Sequence, residues 1–407
     1  MPTAGTPRPG SGHPPLPTTD RRLISVVWLH VAFAATGFGT TLLGCLLPAL
    51  HSVWNLTDSQ AGFLFACQFT GASMGALLVR EDLFRSLQRG YLVMVAGAVV
   101  LGTLHGYAAA VVFFFFGIGM GWAMTAINMV GGTVFECPGA ALSLLNASWI
   151  VGAALSPEIA ARWVRHWHPI QIYFVVAVAF AAIALILRHY RASLLGNSIR
   201  RMRVSQGATP WLLIAGFSLL AFLYVGVEVS VSGWMMTFVH RLPIVGGLWA
   251  ALITSCFWLA LLCGRLIAHA VLLRVSESRL LLAAMVVACC SVISILLNHS
   301  PVAILLSAVC AGLALAPIFP LCASRVLVLT HESPQTKWLF CVAGMGGSVL
   351  PWLTGRLSTQ TGSLRDGLLV PVAALGIMIV CFLLIARRAQ AEAAVLTQQI
   401  APSAPAG

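Results

Sequence analysis

Glu228 is the side chain of this sequence with the clearest capacity for chemistry. It stands near the middle of a long apolar run, with Tyr224 four residues before it and Ser232 four residues after it. Residues four apart share one face of a helix, so these three side chains would project together. An ionised carboxylate inside a membrane costs several kcal/mol unless it is paired or faces water. We expect Glu228 to bind a proton or a hydroxyl-bearing ligand, and the alternative is a structural carboxylate paired with the backbone or an arginine.

Two asparagines on neighbouring apolar runs form a second set of polar side chains. Asn128 lies in the fourth run and Asn146 in the fifth, where Trp149 shares the face of Asn146. An amide offers both donors and acceptors, which suits a polyol or a sugar. We expect these residues to line a binding cavity. The alternative is an interhelical hydrogen bond, which contributes about 0.6 kcal/mol in a membrane.

Four further side chains in apolar runs are candidates for the same cavity or for packing. Gln68 is a polar group in the second run, and His30 in the first could move protons or could simply pack near an interface. Trp258 could stack on the apolar face of a sugar ring. Trp234 could do the same, or could anchor its helix at the membrane interface.

Other patterns exclude several classes of function. The sequence contains no Gly-x-x-x-x-Gly-Lys-Ser/Thr phosphate loop, which argues against direct use of a nucleotide. Gly117, Gly119 and Gly121 lie in an apolar run without a preceding strand and indicate close helix packing. The 11 cysteines include no Cys-x-x-Cys pair. We do not expect an enzyme, because the sequence does not place a nucleophile, a histidine and a carboxylate together at one depth of the membrane. We also expect no cofactor or metal, apart from a coupled H⁺ or Na⁺.

The elements that carry these residues are predicted to be membrane-spanning helices. Charged residues make up 8% of the chain and hydrophobic residues 59%. So few charges could not cover the surface of a soluble protein of this size, and about 20 apolar residues suffice to cross a bilayer. Twelve such runs are predicted, at 23–50, 59–79, 90–107, 109–135, 139–164, 169–188, 211–239, 245–273, 279–297, 301–329, 335–357 and 366–387.

A short basic segment divides these runs six and six, as in a transporter built from two repeats. The sequence thus predicts an all-α membrane protein with 12 transmembrane helices in two six-helix halves. Its predicted parts are a disordered tail at 1–20, a first half at 21–188, a linker at 189–210, a second half at 211–388 and a disordered tail at 389–407.

Arginine and lysine in the loops predict the orientation. With the N-terminus inside, 17 of these residues fall in inside segments and 5 in outside segments, and Arg265 lies near a span end. Cytoplasmic loops carry this excess, so both termini are expected in the cytoplasm. The net charge of +12 is spread over these loops and forms no single patch, which argues against nucleic acid as a partner. The lipid bilayer and a small-molecule substrate are the expected partners.

Several stretches resemble the major facilitator superfamily, and in particular its fucose permease-like and sodium-dependent glucose transporter-like branch. The resemblance covers about residues 21–388. It rests on four patterns: Y-x-G-x-E…G-W from Tyr224 to Trp234, F-W…G-R from Phe257 to Arg265, A-P-x-x-P from Ala316 to Pro320, and G-G…P…G from Gly346 to Gly355.

The resemblance implies a monomeric secondary transporter of a sugar or similar polar solute, working by alternating access in a bacterial inner membrane. Two alternatives remain open, an exporter of apolar compounds and a transport-inactive sensor. Arg265 and Pro351, which fall in the branch patterns, would serve gating. Residues expected to bend moving helices are Gly152 and Pro157 in the fifth run and Pro317 and Pro320 in the tenth.

The chain departs from the superfamily in two places. Between the second and third runs the signature G-x-x-x-D-R-x-G-R-R is broken, although charged residues persist over 80–89. The first run has no carboxylate and the middle of the fourth carries Asn128, so the proton-coupling arrangement of the branch is not carried over as a whole. The broken signature is what keeps the sensor alternative open.

Overall fold

The molecule is a bundle of long helices, and no strand occurs in the part of the chain that is described. A computed structural model describes residues 19–80, 82–134, 138–194, 211–243, 247–329 and 337–400. The helices of the first half are α1 (Thr19–Trp54), α2 (Asp58–Leu77), α3 (Leu83–Thr103), α4 (Ala109–Val134), α5 (Pro138–Trp163) and α6 (Ile172–Leu194), the last preceded by a 3₁₀ turn at Pro169–Gln171.

The second half repeats this number of membrane crossings with two interruptions. Its helices are α7 (Trp211–His240), α8 (Gly247–Leu272), α9 (Glu277–Leu297), α10 (Pro301–Leu315), α11 (Ile318–Leu329), α12 (Lys337–Thr361), the short α13 (Leu364–Gly367) and α14 (Leu369–Ile400). Because α10 and α11 together make one crossing, six spans result. The predicted all-α fold is confirmed, and the predicted span bounds agree with the helices to within several residues except at the end of the last span, where α14 continues to Ile400.

The spans are apolar enough to lie in a bilayer. Eleven stretches in the described residues have the length and composition to cross a membrane. The one remaining crossing is α2, which has 20 residues. Its mean hydropathy is lowered by glycine, serine and glutamine, which face neighbouring helices. Large apolar side chains point outward from the bundle, for example Val178, Leu185 and Leu273. Such a surface suits lipid and not water, so the chain is an integral multi-pass membrane protein.

The tenth crossing breaks where its two prolines stand, as the sequence predicts. α10 ends at Leu315 and α11 begins at Ile318. A proline has no N–H to donate and its ring crowds the carbonyl four residues earlier, so Pro317 and Pro320 interrupt the ladder. By contrast, α5 and α12 continue through Pro157 and Pro351 without a break.

The predicted tails and linker are only partly within the described residues. Residues 1–18, 195–210 and 401–407 lie outside them. α14 continues to Ile400, beyond the predicted boundary of the second half at 388, and the disorder of the tail stays a prediction. The stretch 389–400 is rich in alanine and glutamine, which favour a helix once the preceding turns have formed.

Alternating helix directions define two faces of the bundle. The terminal face holds the start of α1 at Thr19 and the end of α14 at Ile400, and the distal face holds the turn between Trp54 and Asp58. On the distal face, Thr57 caps α2 in a capping box with Gln60. These names are used below for the two ends of the molecule.

Glycines set the same helix pairs in both halves. In the first half, a Cβ atom on Gly152 of α5 would come within 1.8 Å of the Ala34 carbonyl oxygen on α1. In the second half, a Cβ on Gly346 of α12 would come within 1.8 Å of the Phe222 oxygen on α7. Counted by crossings, α12 corresponds to α5 and α7 to α1, so the equivalent pairs touch through backbone in each half. Such close approach requires glycine and supports two repeats of one design.

The same correspondence holds for the second and fourth crossings of each half. A Cβ on Gly121 of α4 would meet the Ala72 oxygen of α2 at 1.8 Å, and one on Gly312 of α10 would meet the Phe257 oxygen of α8 at 2.3 Å. The prediction that the α4 glycines serve helix packing is therefore confirmed. The two halves meet along α2 with α12, α5 with α8, and α1 with α7.

Candidate functional site

A cavity of about 180 Å³ lies between the two halves near the middle of the bundle. At the volume that each molecule takes in liquid water, it offers room for roughly six waters. Its polar lining residues are Thr40, Thr41, Ser73, Thr125, Asn128, Asn146, Glu228, Ser232 and Arg265. Its large apolar and aromatic lining residues are Phe65, Phe69, Met120, Met124, Trp149, Trp258, Phe319 and Phe340.

The cavity extends toward the terminal face and is closed toward the distal face. Ala76, near the terminal end of α2, and Phe340, in the first turn of α12, both line it. On the distal side the lining stops at Cys45, Phe65 and Gly233. A solute would therefore reach this cavity from the terminal face in the present conformation.

Glu228 and Arg265 are the charged residues among the described lining residues. Glu228 on α7 is 8% exposed, and the guanidinium of Arg265 on α8 acts on it electrostatically. The hydroxyl of Tyr224, one turn before Glu228, lies near both charges but makes no hydrogen bond of good geometry. The Arg265 Nε is likewise buried without a partner among the described residues. Tyr224 does not line the cavity and can act on a solute only through the two charged side chains, whereas Arg265 lines it and its Nε is placed to hydrogen-bond to a solute.

Arg265 thus has a position that the sequence did not indicate. The pattern in α8 suggested a gating residue near a span end, whereas the side chain lines the cavity beside Glu228. A carboxylate and a guanidinium together keep the cavity close to neutral, which lowers the cost of both charges in the membrane.

The two predicted asparagines form one polar site on the first half. The side-chain N–H of Asn146 donates to Asn128 Oδ1 over 3.3 Å and to the Leu142 carbonyl over 2.8 Å. Asn128 donates in turn to the Met124 carbonyl over 3.0 Å. Both amides line the cavity. The interhelical bond and the cavity role therefore coexist, because the mutual bond orients the amides and leaves further acceptor capacity for a solute.

Two tryptophans approach each other across the seam between the halves. The rings of Trp149 on α5 and Trp258 on α8 lie edge to face with centroids 5.4 Å apart, and both line the cavity. The indole N–H of Trp149 is buried without a partner among the described residues. The pair therefore offers an aromatic face and a free donor to a ring with hydroxyl groups.

Gln68 and His30 stand outside the lining of the cavity. Gln68 is fully buried behind it, where its side-chain N–H donates to the Thr40 carbonyl over 3.0 Å. His30 Nδ1 lies 2.8 Å from Ser148 Oγ, between α1 and α5. The position of His30 favours the packing alternative, because nearby serine satisfies its ring and the cavity does not reach it. Gln68 contacts the lining of the cavity through Thr40 and through the Met120 sulfur, which lies 3.8 Å from its side-chain nitrogen.

Comparison with known proteins agrees with this architecture, although no family model matches the chain. The glucose/mannose transporter GlcP of Bacillus subtilis (strain 168) is 23% identical over 375 residues, which are 84% of this chain and 90% of that protein. The glucose/galactose transporter of Brucella abortus is 25% identical over 373 residues, 82% of this chain and 87% of that protein.

Solved structures show the same fold at low sequence identity. A bacterial homologue of the human lysosomal transporter Spinster, inward-facing and occupied, has a TM-score of 0.70 at 15% identity and covers 91% of this chain and 98% of its own. The major facilitator superfamily transporter FucP, in the outward conformation, has a TM-score of 0.62 at 15% identity and covers 90% and 99%.

The chain therefore has the fold of a major facilitator superfamily transporter. The resemblance to that superfamily and to its fucose permease-like branch, predicted from four short patterns, is confirmed. The prediction of a membrane transport protein is confirmed with it.

Proposed function

We propose that the protein is a secondary transporter that moves a small polar solute of the sugar class by alternating access. The observation that carries the proposal is the central cavity, which takes its lining from both halves and extends further toward the terminal face than toward the distal face. A cavity at the interface of two repeats becomes accessible from alternate sides when the halves rock. The protein would act as a monomer and without catalytic activity.

The chemistry of the lining supports a neutral, hydroxyl-rich solute. The asparagine pair offers donors and acceptors on the first half, and Trp149 and Trp258 offer an aromatic face at the seam. Glu228 and Arg265 together contribute almost no net charge, so an ion of high charge would gain little. The names of the Bacillus and Brucella relatives, which transport glucose with mannose or galactose, point to the same class.

Replacing Asn128 tests the solute site. In liposomes that contain the purified protein, Asn128→Ala should raise the sugar concentration for half-maximal uptake by roughly three- to tenfold, because one net hydrogen bond contributes about 0.5–1.5 kcal/mol. Labelled glucose, galactose, mannose and fucose are the solutes to test first.

Asn298→Ala is the matched control, because this amide lies at the distal end of α9 and bonds to Ser294. It should leave half-saturation unchanged. If the unmodified protein, Asn128→Ala and Asn298→Ala all reach half-maximal uptake at the same sugar concentration, Asn128 does not belong to the solute site. Saturable uptake by none of them would contradict the proposed substrate class.

Export of amphipathic compounds is a second candidate, favoured by the apolar part of the lining. Phe65, Phe69, Phe319 and Phe340 surround the cavity together with two methionines, and flexible methionine suits varied apolar ligands. An amphipathic dye, loaded into the same liposomes, separates the two functions. Dye movement that depends on the protein, without sugar uptake, would favour export, and movement of neither would favour a sensor.

We further propose that the terminal face is cytoplasmic and that the membrane is a bacterial inner membrane. The support is the excess of arginine and lysine on that face. A green fluorescent protein fused after Gly407 should then fluoresce in a bacterial host. Alkaline phosphatase inserted between Asn298 and Pro301, on the distal face, should be active, since it folds only outside the cytoplasm. The reverse pattern would invert the orientation.

A further inference from the structure

A second group of charged side chains, separate from the cavity, joins the two halves at the distal face. Asp58, the first residue of α2, accepts two hydrogen bonds from Arg241 at the end of α7, over 2.8 and 2.6 Å. It also accepts a hydrogen bond from Ser358 on α12. His51, near the end of α1, places Nε2 3.3 Å from the same carboxylate. One carboxylate of the first half thus holds two helices of the second half.

Backbone contacts reinforce this connection. The N–H of Ser59 donates to Thr359 Oγ1 over 2.7 Å. A Cβ on Gly355 of α12 would come within 2.2 Å of the Asp58 carbonyl oxygen. The two halves therefore touch through main chain at the point where the ion pair closes over them.

An aromatic layer lies directly beneath the ion pair. Trp234 is fully buried, with its indole N–H donating to the Pro351 carbonyl over 3.1 Å. Its ring lies 6.0 Å from that of Phe65 and 6.4 Å from that of His51, measured between centroids. Phe65 also lines the cavity. The order from the distal face inward is therefore ion pair, aromatic layer, cavity.

We propose that Asp58 is the latch of a distal gate, which closes the cavity by holding Arg241 and Ser358 of the second half and must release them for the opposite conformation. The proposal rests on the proposed alternating access and extends it to residues outside the solute site. The side chain of Asp58 is 10% exposed and that of Arg241 is 42% exposed. Water can thus reach one side of the pair, which lets it break and re-form.

The geometry gives Asp58 a larger role than a surface ion pair would have. A bidentate pair between guanidinium and carboxylate is stronger and more directional than a single contact. Within α5, by contrast, Arg162 and Glu158 form a longer contact of 3.7 Å, with Arg162 75% exposed. That pair joins no two helices, so its loss should leave the gate unaffected.

Spin labels on the distal face would measure the gate directly. Val53 of the first half and Gln360 of the second are exposed there and can carry labels in a variant whose reactive cysteines are replaced by serine. With Asp58 and Arg241 unchanged, the distance between the two spin labels should be mainly short, in detergent or in nanodiscs. Asp58→Asn and Arg241→Gln should each shift the distribution toward longer distances, and Arg162→Gln should not.

Two controls distinguish an opened gate from a misfolded protein. Each variant must first give a single symmetrical peak in size-exclusion chromatography. The double variant Asp58→Arg with Arg241→Asp should recover part of the short distance that each single reversal loses. Distances in Asp58→Asn and Arg241→Gln that match the parent protein would overturn the proposal. Because the readout needs no substrate, a wrong substrate class would leave this test valid.

Discussion

Glu228→Gln is expected to abolish uptake driven by a proton gradient while leaving exchange of solute across the membrane intact. A glutamine keeps the size of the side chain and one acceptor oxygen but cannot gain or lose a proton. Glu228 lines the cavity on α7 near Arg265 and Tyr224. Burying an ionised carboxylate in a membrane costs several kcal/mol. We therefore expect gradient-driven uptake in liposomes to fall at least about tenfold.

Glu158→Gln is the matched control for that experiment. Glu158 lies on α5 toward the distal face, where it pairs with Arg162 and does not line the cavity. Its replacement should leave both uptake and exchange near the level of the unmodified protein. If Glu228→Gln retains full gradient-driven uptake, Glu228 is structural and coupling must reside elsewhere.

Alanine in place of Gly152 or Gly346 should cause the largest losses of stability. Each glycine approaches a carbonyl oxygen of the partner helix so closely that a Cβ atom would lie 1.8 Å away. Extra atoms in a packed interior cost typically about 1–3 kcal/mol. The better helix propensity of alanine returns at most about 1 kcal/mol. We expect the apparent melting temperature in detergent to fall for both variants, and by similar amounts.

Gly376→Ala provides the control for this comparison. It lies within α14, and no atom stands within 4 Å of a Cβ built there. The apparent melting temperature of the Gly376→Ala variant should stay unchanged or rise slightly. Should Gly152→Ala and Gly346→Ala melt like Gly376→Ala, the close helix pairs described for the two halves would be incorrect.

Much of the fold could be predicted from sequence because a bilayer imposes simple rules on length and polarity. Each predicted span became a helix, and the break at Pro317 follows from the chemistry of proline. The end of the last span was the exception. α14 propagates through 389–400, beyond the predicted boundary at 388, because the helix had already been nucleated.

The site was predictable only in part, because a sequence shows which residues are polar but not which helix faces meet. Glu228, Asn128 and Asn146 were marked by their rarity in apolar runs, and they do line one cavity. His30 was marked by the same rule but lies beside Ser148. Rarity identifies a polar group in a membrane span and does not distinguish a cavity from a packed interface.

The distal latch shows the same limit for pairs of residues. Asp58 and Arg241 are 183 positions apart, and no pattern in the sequence relates one to the other. The helix start at Thr57 was the available local signal, since an acidic residue commonly follows a cap. Nothing in the sequence indicated that α7 ends beside it.

The measurement that tests the central claim most directly is counterflow in liposomes without any ion gradient. Vesicles containing the unmodified protein are loaded with unlabelled sugar and diluted into a trace of labelled sugar. Alternating access predicts a transient, saturable accumulation of label for at least one sugar, which protein-free vesicles lack. If purified, correctly folded protein accumulates none of the tested sugars, it does not transport solutes of this class.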